Sequence, residues 1–286
     1  MNEALCKNSR EHHWSISRLC EAFDMKRDAY YKYLRRYKRS EATKETVLSM
    51  VRERRKVQSR EGAKKMHKAF AEEFHKRKIK VGRDKLFDIL REKDMLVKRK
   101  RSYVKTTNSY HKFHKYKNLI KDLEITRPNQ VWASDITYIR LTHGHCYLAL
   151  ITDAFSRKIV GYDISNSLEL AGCLRALKMA LRRARPTPGL IHHSDRGLQY
   201  CSNQYVEALK KSNIKISMTE ENHCYENAMA ERVNGILKDE FYLDQSFASV
   251  NLARKASQNA IEIYNSKRLH LSLGYKTPNQ VFKMRA

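Results

Sequence analysis

VWASDITYI, residues 131–139, is the stretch on which the fold class turns. It alternates apolar and polar positions, uses β-branched and aromatic residues, and follows Pro128, where a helical pattern gives way to a strand-like one. Asp135 falls in its middle. A carboxylate in a central strand requires a metal, a hydrogen-bond network or an exposed face to account for it. Downstream, CYLALITDA (146–154) and SRKIVGYDIS (156–165) supply two more strands joined near Asp153 to Ser156, so Asp153 reads as a turn residue. Leu168 to Arg185 is a helix stopped by Pro186 and Pro188. In GLIHHSDRGLQY (189–200), Leu190 and Ile191 form a short strand and Asp195-Arg196-Gly197 its abrupt end, the edge of an α/β sheet where ligands bind. Alternation turns only one of His192 and His193 toward that end, and packing suffices to explain either. Ser202 to Lys211 reads as a helix and IKISM (214–218) as a fifth strand. The order β-β-β-α-β-α-β-α is that of a mixed sheet carrying helices.

The last helix of that series is NHCYENAMAERVNGILKDEF (222–241). At 100° per residue Asn227, Glu231, Asn234 and Lys238 share a narrow arc, opposite Met229, Val233, Ile236 and Leu237. A solvated face ordinarily mixes Lys with Glu, whereas this line holds one acid, one base and two amides. Thirty-five residues separate Asp195 from Glu231.

The 286 residues suggest two domains, or one core with appendages. The net charge of +27 points to a polyanionic partner, and it is unevenly spread. Residues 1–130 hold 37 Lys and Arg against 17 Asp and Glu; residues 131–286 hold 21 against 14. With no long apolar run and no signal-peptide core, a membrane partner is not expected and a cytoplasmic, nucleoid-associated protein is. Cys6, Cys20, Cys146, Cys173, Cys201 and Cys224 are scattered without a C-x-x-C pair, which argues against a disulfide framework or a structural zinc site.

Upstream of the strands the chain reads as helical. Ser15 caps a short helix, Phe23-Asp24-Met25 makes a turn, and Lys26 to Tyr37 repeats aromatic and basic residues at helical spacing. Residues 1–40 are therefore a possible short helix-turn-helix or junction segment. Residues 41–100 form a helical DNA-binding domain with helices over 43–56, 62–77 and 82–93, and Arg83 and Lys85 are its groove-facing candidates. Residues 101–127 are a basic linker interleaved with Tyr, Phe and His, suited to lying along phosphates. Residues 128–286 are the core, with a C-terminal helical tail.

WASDITYI, HHSDRGLQY and NAMAERVNGILKDE, in that order and spacing, resemble the DDE integrase core, whose family includes retroviral integrases and bacterial insertion-sequence transposases. The resemblance is greatest to the catalytic subunit encoded by the second reading frame of the insertion-sequence group called IS-three. PNQVW (128–132), DAFSRKIVG (153–161), CYENA (224–228) and YNSKRLHLSLGYKTPNQVF (264–282) carry it, and REGAKKMHKAF (60–70) and VGRDKLFDILREKDML (81–96) extend it to the helix-turn-helix preceding the core. ERVN (231–234) departs from the family's usual Glu-Ser and two aromatics. The acid is kept, so the departure bears on packing or substrate contacts.

The resemblance implies a ribonuclease-H-like fold: a mixed five-stranded sheet with helices on both faces, preceded by an all-α helix-turn-helix region. It also implies Asp135, Asp195 and Glu231 as catalytic residues and ligands of two Mg²⁺ or Mn²⁺ ions, with Asp135 bridging both. Hard cations take carboxylate oxygens, and a two-ion site serves in-line phosphoryl displacement. On the same reading water first releases a 3′-hydroxyl at the element end, and that hydroxyl then attacks another phosphodiester. Lys238 would contact phosphate and Asn227 would position DNA or water. The partners are double-stranded DNA (terminal repeats and target), further copies of the chain, and a possible upstream-frame protein. The alternatives are a catalytically silent DNA-binding regulator and a ribonuclease-H-like nuclease.

Overall fold

The structure is a computed structural model that describes residues 15–97, 113–186, 188–220 and 228–284. By compactness the chain divides into two units, Met1–Arg54 with Phe70–Met95, and Arg55–Ala69 with Leu96–Ala286. Residues 55–69, assigned from sequence to the 41–100 domain, thus group with the core.

In the first unit Ser15 caps α1 (Ile16–Ala22), its hydroxyl accepting from the Arg18 amide at 3.3 Å. The expected turn follows, with Asp24 at φ 47°. The next helix is not two pieces. α2 runs unbroken from Arg27 to Val57, because no Gly or Pro stands between Lys26 and Val57 to stop it. Only Val47, Leu48 and Val51 of α2 are buried, so its first half faces solvent. The expected helix over 62–77 is interrupted at Phe70, giving α3 (Ala63–Ala69) and α4 (Ala71–Lys76). α5 (Arg83–Glu92) buries Leu86, Ile89 and Leu90, the spacing of one helical face, and Glu92 pairs with Lys44 at 3.1 Å.

The core of the second unit is one sheet in the order β3-β2-β1-β4-β5, formed by β1 (Val131–Arg140), β2 (His145–Asp153), β3 (Ile159–Ser165), β4 (Ile191–Ser194) and β5 (Lys215–Met218). β1 is antiparallel to β2 and parallel to β4; β5 is parallel to β4. This is the ribonuclease-H-like arrangement that the resemblance implied. Short β4 runs through His192 and His193 to Ser194, further than the two-residue strand read from sequence. Between β4 and β5 lie α7 (Leu198–Cys201) and α8 (Asn203–Lys211).

Strand alternation divides the apolar residues between two helical layers. On one face Trp132, Ile151 and Val160 pack with Cys173, Ala176, Leu177 and Ala180 of α6 (Leu170–Ala184) and with Tyr205 and Leu209 of α8. On the other, Ile139, Leu148, Leu150 and Ile164 pack with Val233 and Leu237 of α9 (Ala228–Glu240) and Ala253, Ile261 and Tyr264 of α10 (Val250–Ser266). Helices therefore cover both faces. Four buried cysteines, Cys20, Cys146, Cys173 and Cys201, are unbridged, in line with small core residues.

Two motifs noted in the sequence have structural work. Asp153 is fully buried at the β2–β3 turn, accepting from the Asn129 amide at 2.7 Å and from the Ser156 amide and hydroxyl at 2.8 and 2.5 Å. Asn129 in turn accepts from the Trp132 indole at 3.0 Å, which ties PNQVW to the sheet. In TPNQVF the Thr277 hydroxyl and the Gln280 side chain form a capping box that starts α11 (Pro278–Lys283).

Candidate active site on the central strands

Register brings two acids together. β1 and β4 pair in parallel from Val131↔Ile191 to Ser134↔Ser194, so Asp135 and Asp195 are the next residues on adjacent strands. Trp132, Ser134 and Ile136 face the α6 and α8 layer, and alternation sends Asp135 to the opposite side, under α9. Asp195 stands where β4 ends; its Oδ1 accepts from the Gly197 amide at 3.1 Å. A Cβ on Gly197 would stand 3.0 Å from that oxygen, so a glycine lets the turn close on the carboxylate.

Asp135 is half-buried and holds two hydrogen bonds. Its Oδ1 accepts from the Ile136 amide at 2.9 Å, and its Oδ2 accepts from the Asn234 side-chain amide on α9 at 2.7 Å. Burial pushes its carboxyl up to about 7; the charge of Asp195 pushes the same way, the two hydrogen bonds oppose, and Glu231 adds a smaller push. Glu231 lies in the first turn of α9 and is exposed. Its charge reaches Asp135, yet among the described residues no three His, Cys, Asp or Glu side chains are gathered closely enough to hold one ion. The structure thus juxtaposes Asp135 and Asp195 and leaves Glu231 on the rim.

Lys238, seven residues beyond Glu231 on α9, is half-buried. Burial holds its ammonium below the ordinary lysine value, while the charges of Asp135 and Asp244 pull it back up. Arg83 and Lys85 are exposed in the first turn of α5, where Arg83 pairs with Asp84 at 2.8 Å. Asn227, and with it most of CYENA, lies outside the described residues, as does the linker from 101 to 112.

The two histidines are embedded in the sheet. His192 is fully buried on the α8 side, its Nε2 bonded to the Ser134 hydroxyl at 2.7 Å and the Tyr205 hydroxyl at 3.0 Å. Burial pushes its imidazole down to about 3, so it is neutral. His193 Nδ1 meets the Ser217 hydroxyl at 2.9 Å. These pairs pin β4 to β1 and β5.

The Asp135 carboxyl yields a prediction with a defined sign. Its folded value near 7 exceeds the ordinary 3.8, so the folded chain holds this proton more tightly than the unfolded chain. The stabilisation is complete below about pH 4 and is lost as pH rises through about 7. In metal-free protein the melting temperature, taken relative to the Asp135→Asn variant, should therefore fall between about pH 5.5 and pH 8. Mn²⁺ should raise it more at the higher pH. A relative melting temperature flat across that range would contradict the assignment.

Residues 125–224 match the family described as "Integrase core domain", and 212–278 match a second family of the same description. The Insertion element IS600 uncharacterized 31 kDa protein of Shigella sonnei is 36% identical over 266 residues, 91% of this chain and 96% of that protein. Transposase InsF for insertion sequence IS3A of Escherichia coli (strain K12) is 36% identical over 193 residues, 67% of each chain. Among solved structures, the HTLV-2 integrase catalytic core domain in complex with magnesium (trimeric form) is similar at 22% identity and TM-score 0.45, covering 55% of this chain and 97% of that one.

Proposed function

This chain belongs to the IS3-type insertion-sequence transposases that carry an integrase core domain, and from that membership we propose a site and a course of reaction for it. The protein is a DNA transposase, a polynucleotidyl transferase that cuts and joins DNA. The observation that carries the site is the Asp135–Asp195 pair, one acid on β1 and one directly after the parallel β4, of which Asp135 is raised to about 7 by burial and by its neighbour's charge. A pair so destabilised as two free anions suits a divalent ion, and an all-carboxylate donor set suits Mg²⁺ or Mn²⁺ over softer metals. Asp135 and Asp195 would hold the ions, with Glu231 as the third carboxylate. When bound, two such ions activate the attacking oxygen and neutralise the leaving one.

The remaining work falls to the chain. Lys238, half-buried within electrostatic reach of Asp135, would pair with a phosphate beside the scissile bond and orient it for in-line attack. Water attacks the phosphodiester at the element end and the 3′-oxygen leaves as a hydroxyl. That hydroxyl attacks a second phosphodiester, displacing another 3′-oxygen, so no covalent enzyme intermediate is required. Arg83 and Lys85, exposed at the start of α5, would contact the DNA groove, and Asn227 would position DNA or water beside Glu231. Joining two element ends implies more than one copy of the chain, and an upstream-frame partner fits the second-frame resemblance. No described helix is long and apolar enough to cross a membrane, and we place the protein with DNA in the cytoplasm.

Labelled oligonucleotides carrying the element ends, incubated with the chain and Mg²⁺ or Mn²⁺, test the reading. Nicked ends followed by joined products are expected. Nicks without joining would make it a nuclease of the same fold, and a mobility shift alone would make it a silent regulator.

A further inference from the structure

Asn234 has no part in the reading above, and its surroundings are unusual for an asparagine in a helix. It is 5% exposed, sits between the buried Val233 and Leu237, and donates its side-chain amide to Asp135 Oδ2 at 2.7 Å, across 99 residues of sequence. Its own Oδ1 accepts no hydrogen bond among the described residues. Asparagine is a weaker helix former than leucine or alanine, and a buried amide oxygen without a donor is destabilising by about 1–3 kcal/mol. Helix stability therefore does not explain its presence. It stands three residues after Glu231 and four before Lys238, so one face of α9 carries an acid, an amide and a cation in line over Asp135.

We propose that Asn234 is a positioning residue that orients the Asp135 carboxylate for a divalent ion; the proposal rests on the metal-site reading above. The choice of side chain follows from charge. A lysine or arginine here would satisfy Oδ2 and also neutralise the acid, competing with the ion. An aliphatic residue would leave Oδ2 desolvated and free to rotate. The amide fixes one lone pair and leaves the negative charge uncompensated, which is the condition for ion binding. The unpaired Oδ1 of the same group adds an acceptor suited to a water that arrives with the ion.

Asn234→Leu, close in volume and lacking the donor, separates positioning from packing. Mn²⁺ binding is read by calorimetry and by the ion-induced rise in melting temperature, alongside strand joining as a function of Mn²⁺. The expected result is a melting temperature near wild type without metal, unchanged DNA binding, and a half-saturating Mn²⁺ concentration raised about 10- to 100-fold in both binding and joining. Should Asn234→Leu fail to fold, Asn234→Ser, whose shorter hydroxyl misses Asp135, is measured in its place with the same expectation. Wild-type Mn²⁺ affinity in a folded variant overturns the role of Asn234 alone. A wild-type chain that binds no Mn²⁺ overturns this role together with the metal site.

Discussion

Asp135→Asn abolishes both nicking and joining, by a factor on the order of 10³ or more, while DNA binding persists. The argument begins with shape. Asparagine is isosteric with aspartate, and Asp135 lies on a strand paired on both edges, to β2 and to β4, so the backbone has no reason to move. What changes is charge. The acid whose negative charge would draw a divalent ion is replaced by a neutral amide, and Asp195 and Glu231 are left without the member that stands between the sheet and α9. The same substitution removes the like-charge repulsion that, with burial, pushes Asp135 up to about 7. The variant should consequently melt no lower than wild type above neutral pH in metal-free buffer, and higher activity would accompany lower stability, the usual trade at a site built for function. Gel assays of labelled ends give the first readout and thermal melts the second. Joining at the wild-type rate by this variant excludes Asp135 from the site.

Gly161→Val strongly destabilises the core, and the reason is the closeness of a helix to a strand. Gly161 lies in β3, an edge strand, and α6 crosses directly over it. A Cβ placed there falls on the carbonyl oxygen of Ala176 and comes within 2.8 Å of the Ala180 Cβ. Neither neighbour is a flexible side chain that swings aside; one is helix backbone. The small residues Gly172, Ala176, Ala180 and Ala184 on α6 are the helical counterpart of the same close approach. Overpacking of this kind costs about 3 kcal/mol or more, which lowers the melting temperature by roughly 6–12 °C in a unit of this size. Gly161→Ala should lie between wild type and the valine. Gly235 supplies the opposite sign: it is exposed in α9, a Cβ there meets nothing within 4 Å, and alanine should gain up to about 1 kcal/mol of helix propensity. Equal melting temperatures for Gly161→Val and wild type would mean that α6 does not sit on β3 as described.

Most of the fold was legible because its signals are local. Period-two alternation in 131–139 marks a strand whatever it pairs with, and breakers such as Pro186 end a helix without help from elsewhere. Ser15 at a cap is settled by a bond three residues away, and Asp153 at a turn by bonds to nearby Ser156 together with the more distant Asn129 amide. The length of α2 was not legible, since RRYKRSEATK (35–44) is almost wholly polar and has no apolar periodicity to say whether a helix pauses there. Continuation won because no residue in it opposes a helix.

The one face of α9 shows where local pattern runs out. Periodicity places Glu231, Asn234 and Lys238 in a row and treats them alike. In the folded chain Glu231 is exposed, Lys238 is half-buried, and Asn234 is buried against Asp135. Sequence alone determined which residues are acids, which segments become strands and helices, and which side of α9 is polar, because backbone geometry and side-chain chemistry are carried by each short stretch. Tertiary structure decided which polar residues lose their water and whom they then meet. Desolvation depends on the layer that a helix is packed against, and the pairing of β1 with β4 is made between segments some sixty residues apart. That is why two aspartates set on different strands act on each other's charge, and why an unassigned asparagine holds one of them.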